Sequence, residues 1–126
     1  MRIVLASACV LLLAACGGGS GGDTAGRRSV VAAFYPLAWA AEQVGGSTVD
    51  VHNLTPPGAE PHDVELTPRD VERIQKADVV LYLSHGFQPA VEHAADGAPG
   101  EVVDVLEGER LRAGAGDDGG ETDPHV

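Results

Sequence analysis

The chain is poor in cysteine and in positive charge, and it carries no signature of an active site. Its 126 residues contain two cysteines, Cys9 and Cys16. Both lie near the start, so the body of the chain has no thiol nucleophile and no pair for an internal disulfide. Eight Lys and Arg face nineteen Asp and Glu, a formal net charge of −11. That balance argues against nucleic acid as a partner, because its phosphates would be repelled. It is compatible with cations, although most acidic surfaces are merely solvated. A His-Glu-x-x-His pair, a Gly-x-Ser-x-Gly elbow and a phosphate-binding loop with its lysine are all missing. An enzyme has nothing to start from here, and the chain is read as non-catalytic. The apolar run from Ile3 to Leu13 is too short to span a bilayer as a mature helix.

That run instead has the form of a targeting segment. Arg2 supplies a minimal positive start, and the segment ends in Leu13-Ala14-Ala15-Cys16. This resembles a bacterial lipobox, in which the cysteine is lipidated and becomes the new N-terminus; the alternative is an ordinary signal peptide with an incidental cysteine. Residues 1–15 are therefore read as a lipoprotein signal peptide and Cys16 as the lipidation site, anchoring the protein to a membrane on its extracytoplasmic side. Residues 16–28 are a flexible tether, with GGGSGGDTAG over 17–26, too rich in glycine to order itself. Residues 29–126 remain as the body, near the low end of size for a self-sufficient domain.

Strand and helix signals alternate along that body. Ser29 to Tyr35 is a nearly continuous apolar run, as expected of a strand covered on both faces. Pro36 opens a helix that Gly45-Gly46 stops. Thr48 to Leu54 alternates as a second strand, with Val49, Val51 and Asn53 on one face and Asp50 and His52 on the other. Thr67 is a helix N-cap, with Pro68 at the first helical position, Asp70 completing a capping-box-like pair and Leu66 placed to staple onto Val71. Asp78 to Leu83 is a third strand, Gly86 to Ala95 a further helix, and Glu101 to Leu106 a fourth strand. This order predicts an α/β fold, a parallel sheet flanked by helices with right-handed crossovers. Residues 107–122 turn acidic and glycine-rich and read as a solvated loop. The chain then stops at Asp123-Pro124-His125-Val126 without a closing helix, which gives the expectation of a partial chain.

The residues that could carry chemistry are histidines. His62 sits in Thr55-Pro56-Pro57-Gly58-Ala59-Glu60-Pro61-His62-Asp63, where three prolines and a glycine stiffen the backbone. It follows the second strand, and in open α/β sheets ligands collect beyond the carboxyl ends of strands. His125 also comes off a carboxyl edge and is also preceded by proline. Neutral imidazole binds transition metals, and a pre-oriented ring loses less entropy on binding. Metal ligation is therefore the leading role for His62 and a weaker candidate for His125. The alternatives are a loop histidine hydrogen-bonded locally and a disordered terminal residue. His52 is expected to meet solvent or a helix, His85 is a minor candidate at the end of the third strand, and His93 with Glu92 belongs to a solvated helix surface.

These residues resemble a family. Phe34-Tyr35-Pro36-Leu37, Gly45-Gly46, Asn53-Leu54-Thr55-Pro56-Pro57-Gly58-Ala59-Glu60-Pro61-His62-Asp63, Leu66-Thr67-Pro68-Arg69-Asp70 and Ala77-Asp78-Val79-Val80-Leu81-Tyr82 are similar to the N-terminal half of the metal-specific solute-binding lipoproteins of bacterial ABC importers, which bind zinc or manganese. Asp123-Pro124-His125-Val126 looks like the start of that family's Asp-Pro-His-x-Trp motif. The resemblance implies the N-terminal lobe of a two-lobed, periplasmic-binding-protein-like fold, with a cleft holding the metal. It implies His62 and His125 as two ligands, with the others supplied by a C-terminal lobe. It also implies a divalent cation, zinc or manganese, as cargo, and partnership with an ABC permease and its ATPase. A histidine-rich loop found in many zinc-specific members is absent, which leaves the metal open. Because metal competes with protons for imidazole, affinity is expected to fall as pH drops through about 6.5. A surface lipoprotein acting as adhesin or metal-sequestering module is the alternative. A metal-assisted hydrolase would have only Asp63 and Glu65 as bases.

Overall fold

A computed structural model describes residues 26–109 and the backbone of 112–113 and 122–123. Cys16 and His125 lie outside the described residues. Four strands, β1 (Arg28–Ala32), β2 (Val49–Asn53), β3 (Val79–Tyr82) and β4 (Glu101–Asp104), form one sheet in the order β2-β1-β3-β4. Every pairing in it is parallel. Helices α1 (Tyr35–Gly45), α2 (Pro68–Lys76) and α3 (Pro89–Ala95) make the crossovers. The chain steps outward from β1 to β2 and then back across β1 to β3. Right-handed crossovers in opposite directions put α1 on one face and α2 and α3 on the other. The expected fold class is the one observed.

Burial explains the layers. Val30 and Ala32 turn to one face of β1, Val31 and Ala33 to the other, and all four are buried. Val31, Ala33, Leu54, Ile74, Ala77, Val80, Val91 and Ala95 form the main core between the sheet and the α2–α3 layer. Each fully buried Val or Ile in it contributes about 1.5–3 kcal/mol relative to exposure. A second cluster of Leu83, Phe87 and Leu106, joined by Phe34, sits past the carboxyl ends of the strands.

Several boundaries differ from those expected. β1 ends at Ala32, not Tyr35, because Phe34 becomes the cap of α1: its carbonyl accepts from Leu37 and Ala38 N–H at 3.2 Å. β4 ends at Asp104, whose Oδ1 accepts from the N–H of Ser84 (3.1 Å) and of Leu106 (3.0 Å). α3 begins at Pro89, not Gly86, since His85 (φ 65°) and Gly86 (φ 80°) are consecutive left-handed residues that no α-helix accommodates. The capping box of α2 is formed as expected, with Thr67 and Asp70 bonded reciprocally. Leu66 packs against the main core while Val71 stays 38% exposed. Within 107–122 and just beyond it, Arg112–Ala113 and Thr122–Asp123 pair antiparallel.

Candidate functional site

Strand order reverses direction between β1 and β3, the switch point beyond whose carboxyl edge ligands collect in open α/β sheets. The loop after β1 carries Ala33 and Phe34, and the loop after β3 carries Phe87 and Gln88. The Pro-rich segment after β2 brings His62 to the same place. Its last part is a short 3₁₀ turn, Pro61–His62–Asp63, closed by the Asp63 N–H donating to the Glu60 carbonyl at 3.2 Å. The His62 ring lies against Phe87, with centroids 4.3 Å apart and planes at 59°. Phe87 lies against Phe34 at 5.1 Å. The imidazole thus makes a tilted contact with a buried aromatic, while the residue as a whole is exposed.

A buried polar knot holds the three loops together. Gln88 is 1% exposed. Its Nε2 donates to the Pro61 carbonyl at 2.8 Å and contacts Thr55 Oγ1 at 3.2 Å and the Ala33 carbonyl at 3.4 Å. Thr55, also buried, donates its hydroxyl to the same Ala33 carbonyl at 2.7 Å. Asn53 fixes Thr55 in turn, donating Nδ2 to its carbonyl (2.9 Å) and accepting its N–H on Oδ1 (3.2 Å). Gln88 Oε1 is buried with no hydrogen-bond partner among the described residues. Gln88 was not singled out in the sequence, and Asn53 and Thr55 entered only as members of a longer motif. The available signal was Pro89, which marks Gln88 as a helix cap, together with Phe87 beside it in a chain of 4% aromatics.

The Tyr82 hydroxyl is pushed above its ordinary pKa, first by burial and then by the negative charges of Asp104, Glu92, Glu107 and Asp96. Among the described residues no group of three or more His, Cys, Asp or Glu side chains could hold a metal, so they do not assemble a complete ligand shell. No other described histidine is shown in contact with His62. His52 meets α2, its Nε2 3.8 Å from Asp70 Oδ1. His85 is exposed in the β3 loop and His93 is exposed on α3.

A parallel sheet with a switch point between β1 and β3 and helices on both faces is the architecture of one lobe of a periplasmic-binding-protein-like fold. Comparison with known proteins narrows this. Residues 30–126 match the family described as ZnuA, zinc-uptake complex component A, periplasmic. The chain belongs to that family. It is 33% identical over 96 residues to the zinc-binding protein AdcA of Streptococcus pyogenes, covering 74% of this chain and 19% of that protein. It is 36% identical over 84 residues to the iron-binding protein YfeA of Yersinia pestis, covering 64% and 27%. The solved periplasmic zinc-binding protein TroA of Treponema pallidum superposes with a TM-score of 0.69 at 27% identity, over 80% of this chain and 37% of that one. The chain therefore spans between a fifth and two fifths of the length of these relatives. The family is periplasmic by description, and no helix among the described residues is long and apolar enough to cross a membrane.

Proposed function

We propose that the chain is the metal-capturing lobe of an extracytoplasmic solute-binding subunit of an ABC importer, and that it takes up a divalent transition metal as cargo. One observation carries the reading: His62 is propped on Phe87 at the carboxyl edge of the sheet, where strand order reverses. In this reading His62 and His125 are two ligands, and a second lobe supplies the rest. A shell completed only on closure binds tightly when both halves meet and releases when they part. The captured ion is handed to a permease driven by its ATPase, and no bond in the cargo is made or broken. Cys16 carries the lipid that keeps the subunit at the membrane.

The relatives include both zinc-binding and iron-binding proteins, and the family is described by zinc uptake. Zinc is accordingly the first cargo to test, with manganese beside it. Adhesion is not favoured, because the matched family is defined by an uptake complex. The test is titration of the full-length protein with zinc and with manganese, wild type against His62→Ala. The substitution is expected to weaken binding at least about tenfold, no less than removing a mere support of a ligand does. Unchanged affinity for both metals would remove His62 from the site.

A further inference from the structure

We infer that Gln88 is the positioning residue of this site, holding the His62 turn in register through the Pro61 carbonyl. The inference rests on the reading of His62 as a metal ligand. Three observations point to Gln88. Its amide nitrogen reaches three acceptors that belong to three different parts of the chain: Ala33 after β1, Thr55 after β2 and Pro61 in the histidine turn. The bond to Pro61 is the shortest of the three, and Pro61 immediately precedes His62. Phe87, the adjacent residue, carries the ring on which the imidazole lies. A single dipeptide therefore fixes the histidine twice, once through the backbone and once through a ring contact.

The cost of this arrangement is visible. Turning the amide so that Nε2 meets three oxygens leaves Oε1 buried and without a hydrogen-bond partner among the described residues, an arrangement that costs stability. An apolar side chain of equal length would remove the orphan acceptor but would also take the donor from the Pro61 carbonyl. Retaining the amide makes sense where a loop must be held in one conformation. Fixing the turn removes conformations that His62 would otherwise have to give up on binding, so affinity gains without any new contact to the metal. Thr55 is the second member of the same device, since its hydroxyl lies between Gln88 and Ala33.

The experiment is a double-mutant cycle in the full-length protein, with zinc as the probe and thermal unfolding of the metal-free form as the control. Gln88→Met keeps length and volume, removes the donor and also removes the orphan acceptor. Because it also leaves the Pro61 carbonyl without that donor, the two effects offset and the metal-free midpoint is expected to move little, while zinc affinity falls roughly tenfold. In a His62→Ala background the same substitution is expected to have no effect on affinity. Cobalt-loaded protein adds a spectroscopic readout, because a displaced imidazole changes the ligand field. Thr55→Val provides a second variant that keeps shape and loses the hydroxyl; it is expected to weaken zinc binding in the same direction, again only when His62 is present. If His62→Ala weakens binding but neither Gln88→Met nor Thr55→Val does, the positioning role is overturned and the ligand reading stands. A Gln88→Met effect that persists without His62, or that matches a loss of metal-free stability, overturns it as well. Should His62→Ala bind zinc as wild type does, both readings fall.

Discussion

The His62 and Phe87 rings lie 4.3 Å apart with their planes inclined at 59°, so a buried phenyl acts as the backstop of an exposed imidazole. Phe87 is 3% exposed and touches Phe34 on its other side. The ring therefore connects the second apolar cluster to the carboxyl edge of the sheet. Stability and site geometry share this one side chain.

Truncating it should separate the two contributions. Phe87→Ala leaves a cavity in the cluster of Leu83, Leu106 and Phe34 and is expected to cost about 3 kcal/mol, measured by denaturant unfolding. Phe87→Leu refills most of that volume and should cost about 1 kcal/mol. It still removes the aromatic contact with the imidazole, so zinc affinity should drop several-fold more than the stability change accounts for. A Leu variant with wild-type affinity would show that the ring contact does not orient His62.

The start of α2 has its own pH signature. Thr67 hydrogen-bonds Asp70 through both side chain and backbone, and these bonds, with Arg73 as a lesser contributor, hold the Asp70 carboxyl below its ordinary value. A carboxyl lowered on folding adds stability that is complete above its unfolded pKa, near 3.8, and is lost as pH falls through the lower folded value. Thr67→Ala should cost about 1 kcal/mol at neutral pH and shift the Asp70 titration upward in an NMR experiment. An unmoved titration would mean that the bonds to Thr67 do not lower it.

His52 runs in the opposite sense to its nearest partner. Its Nε2 is 3.8 Å from Asp70, a contact that alone would raise its pKa, yet the ring is lowered from 6.5 because burial and the Arg73 cation outweigh Asp70. Arg73 already occupies that carboxylate at 3.1 Å, so the imidazole gains little from it. A histidine lowered on folding binds its proton more readily in the unfolded chain. Its contribution to stability is therefore complete above about 6.5 and declines as pH falls through the folded value. Arg73→Gln should raise the His52 titration and flatten the stability profile between pH 5 and 7, on the order of the ordinary histidine range. A His52 pKa that stays put or falls in this variant contradicts the account.

What the sequence made legible was whatever local chemistry decides. The four strands, the Thr67 cap and the placement of His62 beyond a carboxyl edge all follow from runs, breakers and spacing within a few residues. The boundaries it misplaced were settled by single backbone events. Apolar Phe34 and Tyr35 extend a strand-like run, but the α1 cap claims them. Gly86-Phe87-Gln88 reads as a helix start, but left-handed His85 and Gly86 turn it into a loop. The clamping role of Gln88 and Thr55 was invisible for a deeper reason. A polar residue becomes a clamp only when the fold brings Ala33, 55 positions away, into hydrogen-bond range of it, and no pattern along the chain records that meeting.

Gly100 offers a test of how closely the sheet is packed at its other end. It precedes β4, where Glu101 N–H donates to the Asp78 carbonyl at 2.9 Å. A Cβ on Gly100 would fall inside contact distance of the Ala77 carbonyl oxygen and 3.0 Å from the Asp78 oxygen. Both atoms are backbone and Ala77 is buried, so neither can swing away as a flexible side chain could. Gly97, three residues earlier, makes the contrast. Its φ is +91° and a Cβ there would meet nothing within 4 Å. Gly97→Ala should cost about 1–2 kcal/mol from backbone strain alone. Gly100→Ala should cost about 3 kcal/mol or more, because the strand must move away from β3 to relieve the clash. Measuring both by denaturant unfolding decides the matter: if Gly100→Ala is as mild as Gly97→Ala, the junction between α2 and β4 is looser than the close approach implies.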